Sequence, residues 1–176
     1  MGVKRIHYLA WQSDLGSLTA LSTSKGLAGL LFGTPDLMME AERLAGHSPW
    51  ELITGLDPVL DRTREQVEQF LTGQRKSFDL KLDLGGTDFQ KTVWQALLEI
   101  PYGQVVTYGQ LARKIGRPKA FRAVGRANGA NPVPIVVPCH RVVATNGLGG
   151  YGGGLPIKRL LLGIEGITSG DVGAAG

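Results

Sequence analysis

Residues 107–129 read TYGQLARKIGRPKAFRAVGRANG, two short helical stretches hinged on Gly116-Arg117-Pro118. Thr107 is a capping residue type, Leu111, Ala112 and Ile115 fall on one face, and Gly116 closes the first stretch. Arg117-Pro118 makes the turn, and the second stretch runs to about Gly129. Two short helices on a tight turn, the second carrying basic residues, form the pattern of a helix-turn-helix, a pattern that any αα-hairpin shares. The second helix is thin, because Ala120, Ala123, Gly125 and Ala127 occupy so much of it. A thin helix can lie close to another surface, either its own core or a nucleic-acid groove. Arg122 and Arg126, four apart, share one of its faces and can reach the same backbone.

The charge around this segment is one-signed. Residues 1–84 hold nine Lys and Arg against eleven Asp and Glu, whereas residues 85–176 hold ten against four. No carboxylate stands between Glu99 and Glu165, where Arg113, Lys114, Arg117, Lys119, Arg122, Arg126, Arg141, Lys158 and Arg159 all fall. Such a block suits a polyanionic partner, although a basic solvated face with no partner has the same composition.

Upstream, TDFQKTVWQALLEI is a helix capped by Thr87 or Asp88, with Phe89, Val93, Trp94, Leu97 and Leu98 as its buried stripe, and PYGQVV leads into a short strand. LGGTDFQ, around Gly85-Gly86, is the best domain boundary. Before it, RIHYLAW, GSLTALST and GLAGLLFG alternate as two or three short antiparallel strands. PDLMMEAERLAG and PVLDRTREQVEQFLTG are helices, HSPWELITGLDP is a loop, and KSFDLKLDL alternates as a further strand. His7 and His47 have no partner pattern and read as structural or surface residues. The fold class is therefore mixed α/β (α+β): a small α/β scaffold over residues 1–84, then a mostly helical unit with a helix-turn-helix over 85–168. Residues 169–176, SGDVGAAG, read as a disordered tail.

Downstream of the helix-turn-helix, NPVPIVVPCHRVV contains the only cysteine of the 176-residue chain. Pro132, Pro134 and Pro138 exclude a helix, and Ile135, Val136 and Val137 are expected as a buried strand that ends at Cys139. A lone cysteine is most often an inert small apolar residue, but here its neighbours are His140 and Arg141. A thiol needs a base or positive charge to act as a nucleophile, and a histidine base needs an acceptor on its other nitrogen. After Glu99 only Glu165 and Asp171 can be that acceptor, and Glu165 ends a helix, LPIKRLLLGIEG, anchored by Leu160, Leu161, Leu162 and Ile164. Adjacent residues of a strand face opposite ways, so His140 helps Cys139 only where the chain turns or a water bridges them. The loop GLGGYGGGLP exposes backbone N–H groups beside Tyr151 and lacks the ending of a phosphate loop. One cysteine and three scattered histidines give no zinc pattern, no disulfide and no sign of a cofactor. No apolar run is long enough for a membrane span and the N-terminus has no secretion pattern, so a cytoplasmic address is expected.

IVVPCHRVV, preceded by RAVGRANGANP and followed by YGGG, closely resembles the O6-alkylguanine-DNA alkyltransferase family, suicide proteins that repair methylated DNA. The resemblance is clear from about Thr87 to Gly166, and residues 1–84 match the layout of the family's ribonuclease-H-like N-terminal domain. It implies that Cys139 accepts the alkyl group, that His140 acts as base through a water and that Glu165 orients His140. Tyr108 would donate a proton or hydrogen bond to the flipped guanine, and Asn131 would brace the turn before the reactive segment. Arg122 would fill the gap left by the extruded base. Lys119, Arg126, Arg141, Ala123 and Ala127 would contact double-stranded DNA through the minor groove, and neither metal nor cofactor is implied. Val142, Tyr151, Gly152 and Lys158 would form the base pocket. The resemblance implies a monomer acting once, since no second thiol can take the group onward. Arg126 and Gly152 depart from the Gly or Ala and the Ser found in relatives. Two other readings on the same residues are a non-enzymatic lesion-binding protein and a Cys-His hydrolase.

Overall fold

The computed structural model describes residues 2–174. The chain divides into two compact units, Met1–Gly85 and Gly86–Gly176. No helix among the described residues is long and apolar enough to cross a membrane.

In the first unit β1 (Lys4–Ser13), β2 (Gly16–Thr23) and β3 (Gly26–Phe32) form an antiparallel meander. Helix α1 (Leu37–Ala45) returns the chain to β4 (Trp50–Ile53), which pairs parallel with β1 to give the order β3-β2-β1-β4. Helix α2 (Pro58–Leu71) follows and buries Leu60, Val67, Phe70 and Leu71. Both helices start on an aspartate whose carboxylate accepts two free N–H groups: Asp36 from Met38 and Met39, Asp57 from Val59 and Leu60. Pro35 therefore precedes the cap of α1, and Gly46 ends that helix with φ near +63°.

Two elements differ from the sequence reading. Trp50–Ile53 is a strand inside a stretch that reads as loop, because Pro49 and Gly55 hide a run of only four residues. Conversely, KSFDLKLDL forms no strand; it meets β3 through a single parallel bridge between Leu82 and Leu27. The reason lies at Asp79, whose backbone N–H and C=O are both taken by the side-chain amide of Gln66, at 2.9 and 3.2 Å. With those groups satisfied by a helix side chain, no neighbouring strand is required.

The second unit opens with α3 (Asp88–Leu98), where Thr87 and Gln90 form a capping box. Val93, Trp94 and Leu97 are buried as expected, but Leu98 lies on the outer face and is exposed. Strand β5 (Val106–Thr107) runs straight into α4 (Tyr108–Lys114), again with a capping box, Thr107 with Gln110. A turn ending in Ala120 leads to α5 (Phe121–Gly129), completing the helix-turn-helix. The Trp94 indole N–H donates to the Ala127 carbonyl at 2.8 Å and ties α3 to α5.

Residues 132–138 are buried but form a turn, not the expected strand. The Val137 N–H donates to the Val133 carbonyl at 2.9 Å, and Asn131 closes the turn from both sides, donating to Val137 O and accepting from Val133 N. Three prolines remove the donors a strand ladder would need, and Ile135 sits at φ +73°, a left-handed conformation that the surrounding packing imposes on a β-branched residue. The chain then makes a 3₁₀ turn over Cys139–Arg141, and β6 (Val142–Val143) pairs parallel with β5. Helix α6 (Leu155–Ile164) buries Lys158, Leu161 and Leu162, while Leu160, expected in the core, is exposed. A short helix α7 (Ser169–Ala174) stands over most of the stretch that the sequence suggests as a disordered tail, whose last two residues, 175–176, lie outside the described residues. Asp171 accepts from the Thr168 N–H and hydroxyl at 2.7 and 2.6 Å, and Val172 packs with Val143, Leu162 and Ile167.

Candidate active site

The 3₁₀ turn is what lets two sequence neighbours act together: it curls the chain at Cys139 instead of throwing His140 to the opposite face. Cys139 is 4% exposed and His140 fully buried. His140 Nε2 lies 2.7 Å from Glu165 Oε1. A carboxylate at that distance accepts the ring N–H, which fixes hydrogen on Nε2 and leaves Nδ1 as the accepting nitrogen.

Glu165 is itself held on three sides. The Arg141 Nε donates to both carboxylate oxygens at 3.0 Å, and the Gly103 N–H donates to Oε2 at 2.8 Å. Arg141 is 7% exposed, and its other arm donates to the Ile100 carbonyl at 2.6 Å. This corrects its placement among DNA-contacting residues: the guanidinium is spent inside the fold, bracketing Glu165. Ala127 is corrected in the same way, since it is 3% exposed and faces Trp94. Lys119, Arg122 and Arg126 are exposed, and Ala123 is half-buried beside them.

The electrostatics follow from burial. Burial drives the Cys139 thiol up to about 11, although Asn131, the Lys158 charge and the Tyr151 hydroxyl each pull it back. At neutral pH such a thiol is only ~10⁻⁴ thiolate, a stored rather than an active nucleophile. Burial also lowers His140, which Glu165 partly offsets, so the ring is neutral and can accept a proton. For Glu165 burial acts upward, but the hydrogen bond and charge of His140, with Arg141 and the Gly103 N–H, outweigh it and hold the carboxyl below its ordinary value.

Tyr108 is the first residue of α4, and burial raises its phenol, as does the nearby Cys139. Its ring lies against Gly125 of α5 and Gly149 of the glycine-rich loop. A Cβ on Gly149 would stand 3.0 Å from the Tyr108 hydroxyl, and that glycine also has φ +69°, so both space and backbone require glycine there. Burial raises Tyr151 well above its ordinary value, and the nearby Cys139 raises it further. Lys158 is fully buried and its ammonium donates to the carbonyls of Val142, Leu148 and Gly150, pinning the loop to β6. Burial lowers it to about 8. Val142 is buried next to this hub, whereas Gly152 is exposed with open space where a side chain would project. Asn128 escaped the sequence reading. It is 4% exposed at the end of α5 and its amide N–H donates to the Cys139 carbonyl at 3.4 Å, linking the second helix of the helix-turn-helix to the backbone that carries the thiol. A polar residue in line with the inward-facing Val124 and Ala127 was the available signal. Among the described residues no group of three or more His, Cys, Asp or Glu gathers into a metal site.

A buried thiol, a neutral base and an orienting carboxylate, next to two protonated phenols and a basic helix, can transfer a group to sulfur from a ligand that helix binds. Comparison with known proteins agrees. Residues 88–167 match the family described as "6-O-methylguanine DNA methyltransferase, DNA binding domain", and residues 6–84 match "6-O-methylguanine DNA methyltransferase, ribonuclease-like domain". The methylated-DNA–protein-cysteine methyltransferase of Methanosarcina acetivorans is 42% identical over 92% of this chain and 99% of its own. The inducible enzyme of that name from Bacillus subtilis is 47% identical over 86% of this chain and 85% of its own. The crystal structure of Mycobacterium tuberculosis OGT in complex with DNA aligns with TM-score 0.73 and 41% identity, covering 90% of this chain and 92% of that one. The O6-methylguanine-DNA methyltransferase of Pyrococcus kodakaraensis aligns with TM-score 0.67 and 29% identity over 92% and 99% of the two chains. Matched in this way along nearly its whole length, the chain belongs to the methylated-DNA–protein-cysteine methyltransferase family.

Proposed function

We propose that this protein repairs DNA by direct reversal: it rotates O6-alkylguanine out of a duplex and moves the alkyl group irreversibly to its own Cys139. The contact that carries the reading is His140 to Glu165, 2.7 Å and fully buried, beside the chain's single thiol. Rotating the base out costs a few kcal/mol, less for a weakly paired lesion, and Arg122 filling the gap offsets part of that cost. Lys119 and Arg126 hold phosphates without regard to sequence. Val142, Tyr151 and the loop pinned by Lys158 receive the base.

His140 takes the Cys139 proton through a bridging water, and Glu165 stabilises the imidazolium that forms. The sulfur electron pair then forms a bond to the alkyl carbon while the carbon–oxygen bond breaks, its pair passing to the guanine. Tyr108, protonated because its phenol is raised, hydrogen-bonds to the base where that negative charge develops. The product is a thioether, which water does not cleave, so each molecule acts once. The protein is taken to act as a monomer in the cytoplasm, a compartment that keeps a lone thiol reduced.

Intact mass after mixing with a duplex carrying O6-methylguanine tests this. The expected result is a stoichiometric gain of one methyl, mapped to Cys139 and missing in Cys139→Ala. Tight binding with no covalent change would identify a lesion binder instead, and sustained turnover a hydrolase.

A further inference from the structure

The residue beside Arg122 is the only aromatic among the large apolar side chains left exposed in the described residues. Phe121 opens α5, the second helix of the helix-turn-helix, and is 48% exposed. A ring of that size on a solvent face loses the stabilisation that burial would give, so a partner surface that covers it restores a substantial apolar contact. Its surroundings say which partner. Lys119, Arg122 and Arg126 are all exposed on the same turn and helix, and the chain has no carboxylate between Glu99 and Glu165 to balance them. The Arg122 guanidinium lies over the Phe121 ring, with Cζ 5.7 Å from its centroid. An apolar plate beside a guanidinium on a basic turn and helix, slim enough to approach closely, is complementary to the minor groove of duplex DNA, whose floor is base edges and whose rims are phosphates.

Building on the repair reading, we propose that Phe121 is a second wedge of the base-extrusion step. Its ring presses on the base step next to the vacated position, partly unstacks it, and supports the Arg122 guanidinium that fills the gap. Consecutive residues on a helix diverge by about 100° and differ by about 1.5 Å in height, so the ring and the guanidinium address neighbouring steps rather than one. Apolar wedges of this kind lower the cost of a distorted duplex by stacking on the bases they part.

The test compares the rate of Cys139 alkylation on a methylated duplex with that on a free O6-alkylguanine base, for the wild type, Phe121→Ala and Phe121→Leu. The duplex-to-free-base rate ratio should fall roughly 10-fold in Phe121→Ala, with most of it regained in Phe121→Leu. Because no charge is removed, the salt dependence of duplex affinity should keep its slope, while Arg126→Ala flattens it by about 0.9 for each phosphate it no longer neutralises. An unchanged rate ratio in Phe121→Ala overturns the wedge, as does a change in salt slope. Failure of the wild type to gain the methyl from either substrate would overturn the repair reading on which the wedge rests.

Discussion

The reactive residues are governed by burial more than by proximity. Iodoacetamide labelling of Cys139 without DNA should rise along a pH curve centred near 11, the value burial gives the thiol; a midpoint at the ordinary 8.5 or so would contradict that environment. Glu165→Gln should cost about 3–5 kcal/mol in urea unfolding, because it strands the buried Arg141 guanidinium without its carboxylate. Stability should also fall on acidification, in two stages. His140 is lowered from 6.5 in the fold, so the unfolded chain takes up a proton first and stability begins to decline below that pH. Glu165 is lowered from 4.5, so its contribution is present above that value and is lost as pH falls through its depressed one. The pairing of His140 with Glu165 was legible because the sequence offers so few carboxylates. The interior placement of Arg141 and Ala127 was not, since a basic residue and an alanine carry no mark of which way their helix or turn faces.

Elements were legible where local chemistry is strong. Thr107, Thr87 and the proline and glycine punctuation mark α3, α4 and α5, and both capping boxes form. They were not legible where tertiary contacts decide: Gln66 replaces a strand partner for Asp79, and the proline-rich turn before Cys139 is apolar enough to imitate a strand. The glycine-rich loop between β6 and α6 gives a sharp test at this scale. Gly149→Ala places a methyl about 3 Å from the Tyr108 hydroxyl at a left-handed φ. Transfer from free base and from duplex should both slow, with a loss of about 1 kcal/mol or more in stability. An alanine variant with full activity would mean that Tyr108 and this loop do not hold each other in place.

Across the whole molecule, charge and the thiol are separated by depth. Arg113, Lys114, Arg117, Lys119, Arg122 and Arg126 are exposed, whereas Arg141 and Lys158 of the same basic block are internal. Duplex affinity should therefore fall steeply with salt, and Lys119→Ala should make the slope shallower by about 0.9 if that side chain holds one phosphate. Equilibrium binding across a salt series reads this directly. The sequence showed the block but not its division between surface and interior, which only the packing of the 3₁₀ turn and α6 decides. The depth of Cys139 has a further consequence for a protein that acts once. A thiol that is protonated and covered is slow to react with peroxides, disulfides and stray electrophiles. Its burial sets the shelf life of each copy, keeping the single dose intact until a damaged base is delivered to it.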